Sequence, residues 1–139
     1  MITRNGWLQL LMLLAALIAA SCGGSTKTTA PPPLANFQPE IINTQDNFQF
    51  QATALTDVTT VAAYYWSNTG TRATVNHSSA VSAGTTLLEI FDAANVRVYA
   101  DSLRASGSDQ TSVGTAGLWR VRVTLQQVDG TLNFRAEKL

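Results

Sequence analysis

The sequence predicts an all-β fold, a small antiparallel β-sandwich of jelly-roll or Greek-key type with seven or eight strands. Three observations predict it. From Phe37 onward, apolar residues recur with a period of two, as in Phe48, Phe50 and Ala52 against Gln49, Gln51 and Thr53. Turn signals rich in Gly, Asn and Asp interrupt this alternation about every ten residues. Thr, Val, Ala, Ser and Gln are abundant while Lys and Glu are sparse, a composition that suits half-buried pleated surfaces better than helices.

Not all of the 139 residues belong to that domain. Residues 1–21 read as an export signal: Arg4 gives a positive start, Trp7 to Ala20 is apolar apart from Gln9, and small residues follow. The apolar stretch is short for a bilayer span. Residues 22–36 read as a tether, flexible where Gly, Ser and Thr dominate and stiffened by Pro31, Pro32 and Pro33. The β-sandwich is expected over 37–139.

The run Ile18-Ala19-Ala20-Ser21-Cys22 resembles the lipobox of bacterial lipoproteins, with Ala19 where leucine is usual. The resemblance covers the first 22 residues. It implies cleavage just before Cys22, a diacylglycerol on the Cys22 thiol and an acylated amine. The chain would then be anchored to a membrane in the cell envelope, since each buried methylene contributes about 0.8 kcal/mol. Gly23 stands where an aspartate would imply retention at an inner membrane, so the resemblance implies the outer membrane in a cell that has two. Cys22 is the only cysteine, which excludes an intramolecular disulfide.

Within the domain, residues 48–54 read as a half-buried strand. Residues 61–67 read as a second strand, turning at Asn68-Thr69-Gly70 into a return strand over 72–77. Residues 78–85 read as a loop. A strand over 87–91, a turn at Asp92-Ala93-Ala94-Asn95 and a strand over 96–101 follow. Residues 103–117 read as an exposed loop. The last element is expected to be a hairpin with a two-residue turn at Asp129-Gly130, placing Leu125 opposite Phe134, Val123 opposite Ala136 and Arg122 opposite Glu137. Trp119 lies on the apolar face of this hairpin and is expected in the core.

Ile90, Asp92, Gly117, Trp119, Val121, Val123 and Gly130 fall in a cadence similar to that of the pre-peptidase C-terminal domains of bacterial secreted proteins: strand, Asp turn, strand, then a Gly-aromatic start to an alternating strand. The resemblance covers about half of the domain. Those domains are non-catalytic accessories, so it implies no catalytic residue here.

The charge distribution limits function further. Nine basic and nine acidic residues give a net charge of zero. Removing residues 1–21 leaves eight against nine, and no basic stripe, which argues against nucleic acid as a partner. His77 is the only histidine and stands beside Ser78 and Ser79, where a surface or rim position is expected. No catalytic triad, metal-ligand spacing or cofactor motif is evident. Asp92, Asp101 and Asp109 read as solvated turn residues, and Glu89 has no identifiable carboxylate partner for glycosidase chemistry. The candidate ligand-binding residues are Tyr64, Tyr65, Trp66 and Tyr99. On a strand, Tyr64 and Trp66 share one face and Tyr65 points opposite, so Tyr65 with Tyr99 would offer an aromatic platform to a sugar ring. The expectation is therefore a non-enzymatic envelope lipoprotein acting through contacts with another envelope protein, the alternative being a lectin-like glycan-binding module.

Overall fold

The computed structural model describes residues 33–139, so residues 1–21 and Cys22 lie outside the described part. The domain is all-β. A 3-10 turn over Leu34–Phe37 is followed by seven strands: β1 Glu40–Thr44, β2 Asn47–Asn68, β3 Ala73–His77, β4 Ala80–Phe91, β5 Arg97–Asp101, β6 Gly107–Gln110 and β7 Gly117–Lys138. Leu34, expected in the tether, is buried against the core, because its leucine side chain finds an apolar surface to cover.

Every strand pairing is antiparallel, and all seven strands are joined in one sheet. The sheet is organised by β2 and β7, each 22 residues long and paired along almost their whole length. The first half of β2 carries β1 on its outer edge, while the second half of β7 is followed by β3 and then β6. The first half of β7 carries β4 and then β5.

These long strands do not run straight. The Asp46 amide, at the head of β2, donates to the Ser67 carbonyl at its tail across 2.8 Å. Twenty-one residues of straight strand would span about 70 Å. The sheet is therefore folded in two, and its halves form the two layers of a sandwich. Aromatic packing shows the same closure: Tyr64 in the second half of β2 lies 5.7 Å from Phe48 and 5.9 Å from Phe50 in the first half.

The fold line has a backbone signature. Ala54 and Asp57 in β2 and Gln127 in β7 take positive φ, as do Gly84 and Gly130 in β4 and β7. The β2–β7 register shifts between Ala52 and Thr60, and the β4–β7 register shifts between Val81 and Thr85. Each shift is an irregularity of the bulge type, which bends a strand and increases its twist. The corner is stitched by side chains: Asp129 Oδ1 accepts from the Asp57 amide at 2.6 Å, and Thr59 Oγ1 accepts from the Gln127 amide at 2.9 Å.

This corner corrects the expected final hairpin. Asp129-Gly130 is not a turn. Residues 117–138 form one strand, in which Leu125 pairs with Thr60 and Thr86, and Phe134 pairs with Phe50 and His77. Alternation along 119–125 and 132–136 buries the same residues whether the chain reverses at Gly130 or bends there onto the other layer. Pairing with β2 and β4 selects the bend. The hairpin expected at Asn68-Thr69-Gly70 is also replaced: β3 pairs with β7 and β6, while β2 stays paired with β7. The loop expected over 78–85 is mostly the start of β4. The exposed loop expected over 103–117 contains β6, and Leu103 in it is fully buried. The Asp92–Asn95 turn and the strands around it are present as expected.

The core lies between the layers. Phe48, Phe50 and Phe134 stack in one half, and Trp66 meets Trp119 edge-on at 5.8 Å in the other. Trp119 is buried as expected and donates its indole N–H to the Thr115 carbonyl at 2.7 Å.

Two carboxylates tie turns to strands. Asp92, expected to be solvated, is buried; its side chain accepts from the amides of Thr115, Val96 and Ala94. The bond from Thr115 is the main reason its carboxyl is held below the ordinary range. Asp46 accepts from Lys138 Nζ at 2.8 Å and from the amide and hydroxyl of Thr69. Led by the Lys138 bond, these partners push its carboxyl from an ordinary 3.8 down to about 2. Both groups bind protons less readily folded than unfolded. Their contribution is therefore complete above the unfolded value and is lost as the pH falls through the folded one. The melting temperature is expected to hold above about pH 5 and drop between about pH 4 and about pH 2. An Asp46→Asn, Asp92→Asn double variant, less stable at neutral pH, should show a shallower drop; the same slope in both proteins would exclude these carboxylates as its source.

Candidate functional site

Folding the sheet gives it two outer faces that point in opposite directions, and the residues on them differ in chemistry. On the half containing β1, β3 and β6, the outward row runs Gln49, Arg135, Asn76, with Gln51 and Asn133 beside it. Gln49, Asn76, His77, Ser78, Asn133 and Arg135 line a shallow depression of about 210 Å³. This face is rich in amides and has no aromatic ring in that lining.

The outer face of the other half is apolar and cationic. The alternation that buries Tyr64 and Trp66 turns Val61, Ala63 and Tyr65 of β2 outward. Strand pairing then forms the rows Tyr65, Arg120, Phe91 and Ala63, Arg122, Glu89 across β2, β7 and β4. Val61 shares a row with Thr124 and Leu87, and Leu118 pairs with Ser67. Tyr65 is 61% exposed, Val61 65% and Leu118 61%.

The arginines on this face are held in place. The Arg120 guanidinium lies 4.3 Å from the centre of the Phe91 ring and that of Arg122 lies 5.1 Å from it. Glu89 accepts from Arg122 Nε at 2.7 Å, also from Arg122 Nη2, and from Arg97 Nη1 at 3.1 Å. Burial pushes the Glu89 carboxyl up, but the hydrogen bonds from Arg122 and Arg97 outweigh it, and the group stays below the ordinary range. Arg122 thus pairs with Glu89 and not with Glu137, because β4 rather than a hairpin partner lies beside it. Stacking and ion pairing reduce the rotamer freedom these side chains would lose on binding.

The candidate residues are therefore separated. Tyr65 is on the outer face. Trp66 is fully buried and Tyr64 is half-buried in the core, where burial raises its hydroxyl pKa. Tyr99 is 9% exposed and also faces inward, in the row Tyr64, Val121, Ile90, Tyr99. Burial, and then the charges of Asp101 and Asp109, push its hydroxyl up to about 12. A platform of Tyr65 with Tyr99 is not assembled, because the two residues point to opposite sides of the same layer. Arg120, Arg122, Phe91 and Glu89 complete the face around Tyr65, and sequence reasoning missed them as a group. Arg120 and Arg122 did alternate outward in the sequence, but strand order alone brings Phe91 and Glu89 next to them.

Among the described residues, no helix is long and apolar enough to cross a membrane. The chain matches no known family model, and no curated protein is similar to it in sequence.

Proposed function

We propose that the protein is a non-enzymatic accessory lipoprotein of the cell envelope, anchored through Cys22, whose domain docks another envelope protein on the face centred on Tyr65. One observation carries this reading: an exposed apolar surface of Val61, Tyr65 and Leu118 beside arginines immobilised on Phe91 and Glu89. Tyr and Arg are the residues most enriched where binding energy concentrates, and exposed apolar clusters mark contact surfaces. Charge suggests the partner's chemistry. Residues 33–139 hold seven basic and nine acidic groups, yet this face carries Arg97, Arg120 and Arg122 against Glu89. The partner surface is apolar with carboxylates around it.

A photo-crosslinking residue at Val61 of the full-length chain in its envelope should yield one discrete adduct, and the same residue at Gln51 on the other outer face should not. Tyr65→Ser with Arg120→Glu should weaken the contact at least about 100-fold, since two central residues of this type contribute about 3 kcal/mol or more. Equal adducts from both faces, or adducts unaffected by the double substitution, would refute the assignment. The glycan reading keeps one supporting observation, the exposure of Tyr65. Saturable glycan binding lost in Tyr65→Ala, with no protein adduct from Val61, would establish that reading instead.

A further inference from the structure

A second constellation lies away from this face, where the edges of the two layers meet. His77 ends β3, Asp109 lies on the neighbouring β6, and Asp101 ends β5 in the opposite layer. One donor atom from each of His77, Asp101 and Asp109 lies within 4.8 Å of the other two. The carboxylates are exposed, but the imidazole is not: the His77 side chain is 3% exposed. This corrects the expected rim position. Pairing with Phe134 and Gly107 puts the ring on the inward face, and a Cβ at residue 107 would overlap Nε2 at 2.7 Å.

Among the described residues, neither nitrogen of the His77 ring makes a hydrogen bond, and its nearest charged neighbour, Asp101 Oδ2, is 3.5 Å from Nε2. Tyr99, two residues from Asp101 on the same side of β5, also has a buried hydroxyl with no hydrogen-bond partner among the described residues. Buried polar atoms without partners are rare, since each costs about 1–3 kcal/mol. Here two such groups stand beside two carboxylates.

We propose that His77, Asp101 and Asp109 bind a divalent transition-metal ion of the zinc class, which links β3 and β6 to β5 across the open edge of the sandwich. Imidazole with two carboxylates is a donor set for zinc and its neighbours; calcium takes six to eight oxygens and has no use for imidazole nitrogen. Bond lengths near 2.1 Å place tetrahedral ligands about 3.4 Å apart. Rotation of the exposed Asp101 and Asp109 side chains closes the remaining gap without moving the buried ring. Three protein ligands leave one position for water or the neighbouring Tyr99 hydroxyl. The ion bridges the edges of the two layers, so its binding should stabilise the fold.

The test uses the full-length chain stripped with chelator and titrated with zinc, then with cobalt as a spectroscopic substitute. The expected result is one equivalent bound, a tetrahedral cobalt absorption spectrum and a melting temperature raised by zinc. Because His77→Ala endangers the core, the decisive variant is Asp101→Asn with Asp109→Asn at exposed positions. It should keep the wild-type far-ultraviolet circular dichroism and lose at least about 100-fold in zinc affinity. No saturable zinc or cobalt uptake, undiminished uptake by the double variant, or a preference for calcium over zinc would each overturn the proposal.

Discussion

Gly130→Ala is expected to destabilise the domain by about 3 kcal/mol or more. Gly130 has a φ of +131°, which alanine does not adopt without strain. A Cβ there would also run into the carbonyl oxygen of Ala80 and come within 3.0 Å of Val81 Cα. Both obstacles are backbone of the adjacent β4, so no side chain can move aside. Gly130 pairs with Leu55 on one edge and Val81 on the other, and the strain would spread to both strands at the fold line. The reverse substitution tests the same idea with opposite sign. Ala54 already sits at a left-handed φ of 53° and is exposed, so Ala54→Gly should be neutral or stabilise by up to about 1 kcal/mol. Urea denaturation of both variants reads the effects. A destabilising Ala54→Gly together with a neutral Gly130→Ala would mean that the corner is not built as described.

Trp119→Ala is the second large effect, about 3–5 kcal/mol. The side chain is fully buried, packs edge-on against Trp66 with an interplanar angle of 81°, and donates to Thr115. Alanine leaves a cavity between rigid strands, removes an aromatic pair and leaves the Thr115 carbonyl with only the longer bond from the Ala93 amide at 3.3 Å. Trp119→Phe separates these contributions: it restores much of the volume and should lose only about 1–2 kcal/mol, part of it from the missing indole bond. The Thr115 amide is held by Asp92, so the damage should extend to the Asp92–Asn95 turn. Chemical denaturation gives the energies, and near-ultraviolet circular dichroism follows the indole pair. A cost below about 1 kcal/mol for Trp119→Ala would show that this end of the core is loosely packed.

The outer face and the edge cluster were legible to different degrees. Alternation set Tyr65 opposite Tyr64 and Trp66, and the burial of Trp66 decided that Tyr65 is the one that faces outward. Its arginine neighbours followed from alternation, but the Phe91 ring beneath them did not, since that needs the order β2, β7, β4. His77 was read as a rim residue because nothing local opposes that reading. Its burial comes from Phe134 and Gly107, which are distant in sequence and adjacent in the sheet. Asp109 reaches it through the pairing of β3 with β6, and Asp101 only through closure of the sandwich.

The sequence by itself determined the all-β class, the inward set of Phe48, Phe50, Trp119, Val121, Val123, Leu132, Phe134 and Ala136, and the Asp92 turn, because period-two alternation and turn chemistry are local properties. Tertiary structure alone decided that β2 and β7 are long strands folded in half, which strands are neighbours, and which side chains meet across the layers. The physical reason is that an apolar face is buried equally well by a hairpin and by a bent strand. Local pattern specifies which residues are inside; the hydrogen bonds available from β2 and β4 select the path by which they get there.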